Sequence, residues 1–422
     1  MLKLIKHSTL FRDTSQLAVG QGLRLIIQAA YFVLIARCLG PGTYGAFTAV
    51  VALAAILSPF SGMGSNNLFI KNVRSGKRTS SLCWGNGLIA TVSSGLAFSG
   101  LVLLIEYVFL LRTAFWVVIA VCISDLLLLR ITELAIFGFA AVDRMKETVV
   151  QNVGGSLLRL IAIAVLSLLH RPVSLELWAG AYLLASVLGT VYSIYRAYQI
   201  LGAPSFDLHA LKEDAADGVY FSIGASAATV YNDVDKVMLG KVSFVAVGIY
   251  AAAYRIIDVS MTPIRSLVSA AYPRFFEKGV QGMKSTYPYA LTQIGRASLY
   301  SVVLVPVLWI AAPLLPRILG AHYANTVSAL RWLALLPILR GIHSFLADSL
   351  SGAGFQGFRS GIQVMVALIN VGLNLLILPR YGWLGAAWTS LASDGLLVVS
   401  LWVAVRYKLR TAPDARFSQV IV

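Results

Sequence analysis

Charge is scarce in this sequence. Asp, Glu, Lys and Arg make up 12% of its 422 residues, against roughly a quarter in soluble domains. Hydrophobic residues reach 58%, and mean hydropathy is +0.79. Length alone would suggest soluble domains of roughly 150 residues each. So much apolar surface excludes them. Short alternating segments are missing too, which excludes a membrane β-barrel. Cysteine is rare. Cys38, Cys83 and Cys122 stand far apart, form no CxxC pair, and read as small apolar side chains. The histidines are scattered without HExxH, and no GxxxxGK[ST] occurs, so neither a metal site nor a built-in ATPase is expected. The literal GxGxxG from Gly352 to Gly357 falls between two apolar runs, where no strand precedes it. It reads as a glycine-rich turn rather than a dinucleotide site.

Acids are also outnumbered, 18 against 34 bases, for a net charge of +16. In a soluble protein such an excess would suggest nucleic acid. Here the cations lie mostly in loops between apolar runs. They read as the positive-inside bias and as attraction to anionic membrane lipids, with no nucleic-acid partner.

What is present is a series of long apolar runs. Backbone amides in lipid must be satisfied within their own segment, so these runs must be helices. At about 20 residues per span, twelve can be placed. The first six are 16–37, 43–65, 83–110, 114–140, 149–169 and 177–200. The next six are 217–240, 245–271, 291–315, 326–350, 359–378 and 383–405. The first run contains Arg24 and is too long for a signal-peptide core, so it reads as a membrane helix. The run 217–240 carries Asn232, Asp233, Asp235 and Lys236, which suggests a helix facing a wet interior.

The loops set an orientation. With the N-terminus inside, nineteen loop cations fall on the cytoplasmic side, among them Lys3, Lys6, Arg12 and Arg416. Six fall outside, including Arg112 and Arg171. That bias predicts both termini in the cytoplasm. The longest polar break, 201–216, lies near mid-chain. The expected organisation is an N-terminal lobe (1–202), a cytoplasmic linker (203–216) and a C-terminal lobe (217–422) with a basic tail. A corner at Leu39-Gly40 in the first half has a counterpart at Leu239-Gly240 in the second. Parallel repeats of this kind are a known transporter plan, with the site between the halves.

Charges inside spans default to function, because each costs at least about 2.5 kcal/mol at the bilayer centre. Arg130 with Glu133, and Arg255 with Asp258, are three apart and can share a helix face. Lys236 can snorkel from an outer helix end. Arg24 and Arg159 have no acid within a turn or two of their own helix. They need water, another helix or an anionic ligand. Arg24, Arg159, Arg255 and Arg265 are therefore expected to line a central cavity that receives an anionic headgroup. Guanidinium suits that task, because it stays charged and grips phosphate with a fork of donors. Among Asp233, Asp235, Asp348, Asp394, Asn370 and Asn374, the pair Asp235 and Asn374 is the expected point of coupling to an ion gradient. Salt bridging to arginines such as Arg255 is the alternative. No cofactor is expected beyond a coupling proton or sodium ion. Pro59, Pro263, Pro306 and Pro337 lie inside predicted spans, as ordinary membrane usage or as hinges.

Several stretches carry a resemblance. Ala36-Arg37-Cys38-Leu39-Gly40-Pro41 followed by Tyr44-Gly45-Ala46-Phe47 resembles the ARxLGPxxYGxF signature of polysaccharide-biosynthesis flippases. Asp235 to Gly240, Gly248-Ile249-Tyr250 and Ala253-Tyr254-Arg255 repeat the pattern in the second half. Tyr272-Pro273-Arg274-Phe275 and the run Leu378 to Ala387 are similar to further family segments. The resemblance covers nearly the whole chain. It implies the multidrug/oligosaccharidyl-lipid/polysaccharide exporter superfamily: all-α membrane proteins with two six-helix lobes around a central cavity, working by alternating access.

The function implied is translocation of a polyprenyl-diphosphate-linked oligosaccharide across the inner membrane, for O-antigen, capsule or exopolysaccharide. No bond is made or broken, so the chain is not expected to be an enzyme. The resemblance implies that arginines in the first and eighth spans hold the diphosphate, with Arg24 and either Arg255 or Arg265 in comparable spans. It leaves room for a polysaccharide polymerase as a working neighbour. The rivals are a drug or cation exporter of the same fold, whose cavity should favour acids, and a membrane-embedded sugar polymerase or ligase, which needs a developed outer loop.

Overall fold

A computed structural model describes residues 2–109, 113–170 and 172–411. The side chains of 2–18, 109, 215–217, 220, 221, 223–225, 227, 228 and 230 fall outside the description. Of the loop cations named above, Arg112, Arg171 and Arg416 lie outside the described residues, as do the side chains of Lys3, Lys6 and Arg12.

Every regular element among the described residues is helical. The order is α1 (Leu2–Leu57), α2 (Ser65–Arg74), α3 (Ser80–Phe109), α4 (Phe115–Cys122), a π-helical turn (Ile123–Leu128) and α5 (Leu129–Ala141). There follow α6 (Met145–Leu169), α7 (Leu175–Leu201), α8 (Leu208–Val242), α9 (Phe244–Ser260) and α10 (Thr262–Gly279). The chain continues through α11 (Met283–Ala311), α12 (Leu314–Leu319), a 3-10 turn (Ala321–Tyr323), α13 (Thr326–Leu333), α14 (Leu336–Gly352) and α15 (Gln356–Thr411).

Eight stretches among the described residues are long and apolar enough to cross a membrane. Two of them, in α1 and α15, are broken by a glycine with a non-helical backbone, Gly40 and Gly382, so each supplies two rods. The bent pair α9–α10, angled by 47°, supplies another. The more polar α8 completes the expected twelve. At Gly40 φ is +70°, a conformation that side chains with a Cβ resist. Pro41 then suits the opening turn of the next rod, where no N–H is missed.

Several boundaries differ from expectation. The second span stops at Leu57 rather than 65, and Pro59 lies in the turn that follows. Pro263 and Pro337 occupy the first turns of α10 and α14, the positions where proline costs least, whereas Pro306 lies inside α11. Leu239-Gly240 is helical. The second-half corner falls at Ser243, whose backbone is extended. Helix α8 begins at Leu208, so much of the expected linker 203–216 is helix. The glycine-rich stretch is a turn, with Gly354 at φ +87° between α14 and α15.

Contacts divide the chain into two compact units, Met1–Val245 and Ala246–Val422. In the first, α1 packs on α6 and α8, and α5 on α2 and α7. One core cluster joins Phe69, Trp84, Leu134, Phe139 and Leu201. In the second, α14 packs on α10, α11 and α15. Apolar side chains such as Leu168 and Ile310 are 82% and 79% exposed, as expected of a surface facing acyl chains rather than water.

Candidate functional site

The first unit gathers one group of charges around the π-helical turn. Such a turn bonds i to i+5, and its loosened carbonyls need other donors. They have them. Ser61 Oγ donates to Leu126 O, Thr190 Oγ1 to Leu128 O at 3.0 Å, and Arg130 Nε to Asp125 O at 3.3 Å. Gly95 lets α3 lie against this turn, since a Cβ there would meet Leu126 O at 2.6 Å.

The turn carries Asp125 inward, 7% exposed. Tyr182 on α7 donates its hydroxyl to Asp125 Oδ1 at 2.6 Å. Arg159 on α6 reaches the same oxygen only at 3.8 Å. Its guanidinium lies over the Tyr182 ring, 4.6 Å from the centroid, at cation–π range. Tyr182 is in turn packed against Phe47 and Trp178. Beside this triad, Arg130 and Glu133 pair at 2.7 Å, the i, i+3 contact expected from spacing. Arg24 on α1 donates to Asn152 Oδ1 on α6 at 3.1 Å. The charged neighbours of Glu133 include Arg130, Arg24, Asp125 and Arg159. The cluster thus holds three guanidinium groups and two carboxylates. Arg24 and Arg159, both selected from sequence, belong to it.

The remaining sequence candidates lie on other helices. Asp235 on α8 is 3% exposed, and its Oδ1 accepts from the Lys236 backbone N–H at 2.7 Å. Lys236 turns to Asp233 at 2.6 Å. In the second unit, Arg255 lies on α9. Arg265 is a 56% exposed side chain paired with Asp258 at 2.7 Å. Asn374 is fully buried, donating to Asn370 at 2.9 Å and accepting from Thr389 at 2.6 Å. Asn370 extends this chain to Ser393 at 2.8 Å.

The second unit also holds a buried ion cluster that spacing did not reveal. Arg340 on α14 meets Asp394 on α15 at 3.1 Å and donates to the Tyr254 hydroxyl. His343 Nε2 is 3.2 Å from the other Asp394 oxygen. Asp394 was visible as an acid within a span. The rule that an intramembrane charge needs a counterpart would have led to Arg340. Asp348 similarly pairs with Arg359 at 3.4 Å.

The loop cations of the first unit are ordered as well. Arg74 holds Asp143 at 2.6 Å, and hydrogen bonding from its guanidinium keeps that exposed carboxyl below its ordinary range. Lys77 and Arg78 hold Asp214 at 3.0 and 3.2 Å, and Arg78 also holds Glu213 at 2.7 Å. Burial alone would raise the Asp214 carboxyl. The hydrogen bonds from Lys77 and Arg78 outweigh it and hold the group low. Asn86 exchanges two hydrogen bonds with the Asp207 backbone, both 2.9 Å, so the segment entering α8 is fastened to α3.

Among the described residues, no cluster of His, Cys, Asp and Glu could hold a metal ion. Membrane rods with charges paired across helices define a multi-pass membrane protein, and solved structures share its fold. A multidrug resistance MATE transporter of the MOP superfamily, inward-facing, aligns at TM-score 0.71 and 16% identity, covering 93% of this chain and 99% of that one. The lipid II flippase MurJ, in an inward closed conformation, aligns at TM-score 0.70 and 12% identity, covering 92% and 87%. A protein of Escherichia coli (strain K12), provisionally named an O-antigen transporter, is 23% identical over 94% of this chain and 97% of its own length. The chain belongs to the family described as polysaccharide biosynthesis protein, matched over residues 10–278.

Proposed function

We propose that this protein is a flippase. It moves a polyprenyl-diphosphate-linked oligosaccharide from the inner to the outer leaflet of the inner membrane, by alternating access of two six-helix lobes, for cell-surface polysaccharide synthesis. Both termini lie in the cytoplasm. The observation that carries the reading is the Arg24–Arg159 region of the first unit. Arg159 there reaches its carboxylate only at 3.8 Å, with Arg24 in the same cluster. That contact is not the bidentate carboxylate fork in which guanidinium is most strongly held. A diphosphate offers that fork. Arg255 and Arg265 of the second unit complete the proposed set of headgroup ligands. Arg265 leaves Asp258 to do so. An ion gradient, of protons or sodium, drives the cycle, with Asp235 and Asn374 as one proposed point of coupling.

The TM-score to a multidrug exporter matches that to the lipid flippase, so a drug or cation exporter is the second reading. A cationic cargo would meet a cluster with more guanidinium than carboxylate, which opposes it. Loss of the gene separates the two. The flippase reading expects lipid-linked repeat units to accumulate on the cytoplasmic side, with restoration by wild type and at least about tenfold less export with Arg24→Ala or Arg159→Ala. Normal export of repeat units, with altered drug tolerance, would favour the second.

A further inference from the structure

The triad on the π-helical turn is built to part. Glu133 is held at 2.7 Å by Arg130. Asp125 has its arginine at 3.8 Å and its tyrosine at 2.6 Å. The Arg159 side chain is 27% exposed, whereas that of Asp125 is 11% exposed. The cation can therefore swing to an incoming anion while the carboxylate stays behind. The titratable and charged groups around Asp125 come from every neighbouring element. They are Arg159 from α6, Tyr182 from α7, Arg130 and Glu133 from α5 and Cys122 from α4, and beyond them Arg24 beside Glu133, Tyr31 beside Tyr182 and Glu106 beside Cys122. Arg130 already serves Glu133, and the nearest donor to the Asp125 side chain besides Arg159 is a neutral phenol. A carboxylate abandoned in this setting is an uncompensated buried charge, which costs several kcal/mol. Protonation removes that cost.

We propose that Asp125 is a cargo-linked proton site. When a diphosphate takes Arg159, Asp125 takes one proton from water, and it returns the proton when the diphosphate leaves and Arg159 comes back. Arg159 keeps its own proton throughout, so the net change is one proton bound per diphosphate bound. The new acid keeps its hydrogen bond to Tyr182, whose hydroxyl can donate or accept. The wider π turn supplies the local give, and three of its carbonyls also accept side-chain donors. This site lies within the first unit and is separate from Asp235 and Asn374. It rests on the flippase reading, because it needs an anionic cargo.

The test uses the purified full chain in nanodiscs of zwitterionic lipid, titrated with undecaprenyl diphosphate. Calorimetry in two buffers of different ionisation enthalpy counts the protons. Wild type should take up about one proton more per bound molecule than Asp125→Asn, because the probe's own protonation is common to both. Wild-type affinity should fall by up to about tenfold per pH unit over the range where that proton is taken up. Asp125→Asn should still bind, with that component of the slope gone. Tyr182→Phe, which alters packing but spares the carboxyl, should keep the uptake. Inorganic pyrophosphate as a parallel probe should give the same difference, and a difference produced only by adding anionic phospholipid would overturn the assignment to cargo. Equal proton uptake by wild type and Asp125→Asn, with binding intact, would overturn this site alone. Absence of any binding by wild type would overturn the flippase reading and this inference with it.

Discussion

Each unit contains an arginine, an aspartate and a tyrosine in contact, yet the two triads are held differently. In the second unit, Arg340 and Asp394 meet at 3.1 Å with side chains 12% and 1% exposed, and His343 Nε2 lies 3.2 Å from the other carboxylate oxygen. In the first unit, Arg159 and Asp125 are 3.8 Å apart with side chains 27% and 11% exposed. Both guanidinium groups lie over a tyrosine ring, at 4.6 Å for Tyr182 and 5.1 Å for Tyr254. The ring contact is common, so the difference lies in the carboxylate. A closed, dry pair holds a structure together, while a long, partly open one can change partners. Intramembrane charge alone is thus a poor marker of function, and distance together with exposure separates the two cases.

The largest effect should come from breaking the closed triad. Removing one partner of a buried ion pair costs about 3–5 kcal/mol, because the other charge is left uncompensated. Arg340→Ala should therefore lower the thermal unfolding midpoint of the detergent-solubilised protein markedly. Arg159→Ala should cost clearly less than Arg340→Ala, because Asp125 can take a proton and so need not remain an uncompensated buried charge. Equal destabilisation by both variants would erase the contrast between the units.

A smaller effect sharpens the comparison at the loop end of the first unit. The Asp214 carboxyl is held below its ordinary value by Lys77 and Arg78. A depressed acid contributes stability above its unfolded value, about 3.9 for aspartate, and loses it as pH falls through the lower folded value. Asp214→Asn should thus be less stable than wild type at pH near 7, by under about 1 kcal/mol because water screens the pair. The gap should close only in strong acid, as thermal unfolding against pH would record. A gap that closed between pH 5 and 6 would contradict the assignment.

The rods were legible from hydropathy, because lipid admits few alternatives to a helix. The Gly40 corner and the Arg130–Glu133 pair were legible too, since both depend on neighbours in sequence. The need of Arg159 for a partner was legible, but not its identity: Asp125 lies on another helix, and periodicity carries no information between helices. Ser124 and Asp125 mark the apolar run at Ile123–Leu128, but polarity there does not announce a π turn. Arg340 and Asp394 stand 54 residues apart, and only tertiary packing joins them. Asp258 meets Arg265, seven residues on and beyond the bend between α9 and α10. Local rules reach as far as one rod and its nearest break, and contacts between rods lie outside them.

Reconstitution tests the central claim most directly. The purified chain, alone in proteoliposomes, would be given an undecaprenyl-diphosphate-linked oligosaccharide in one leaflet, with arrival in the other followed by a membrane-impermeant lectin. Lectin-accessible sugar should rise with wild type, and at least about tenfold more slowly with Arg159→Ala, with no competition from a cationic dye. A rate equal to that of protein-free vesicles, or movement of the dye in place of the lipid-linked sugar, would contradict it.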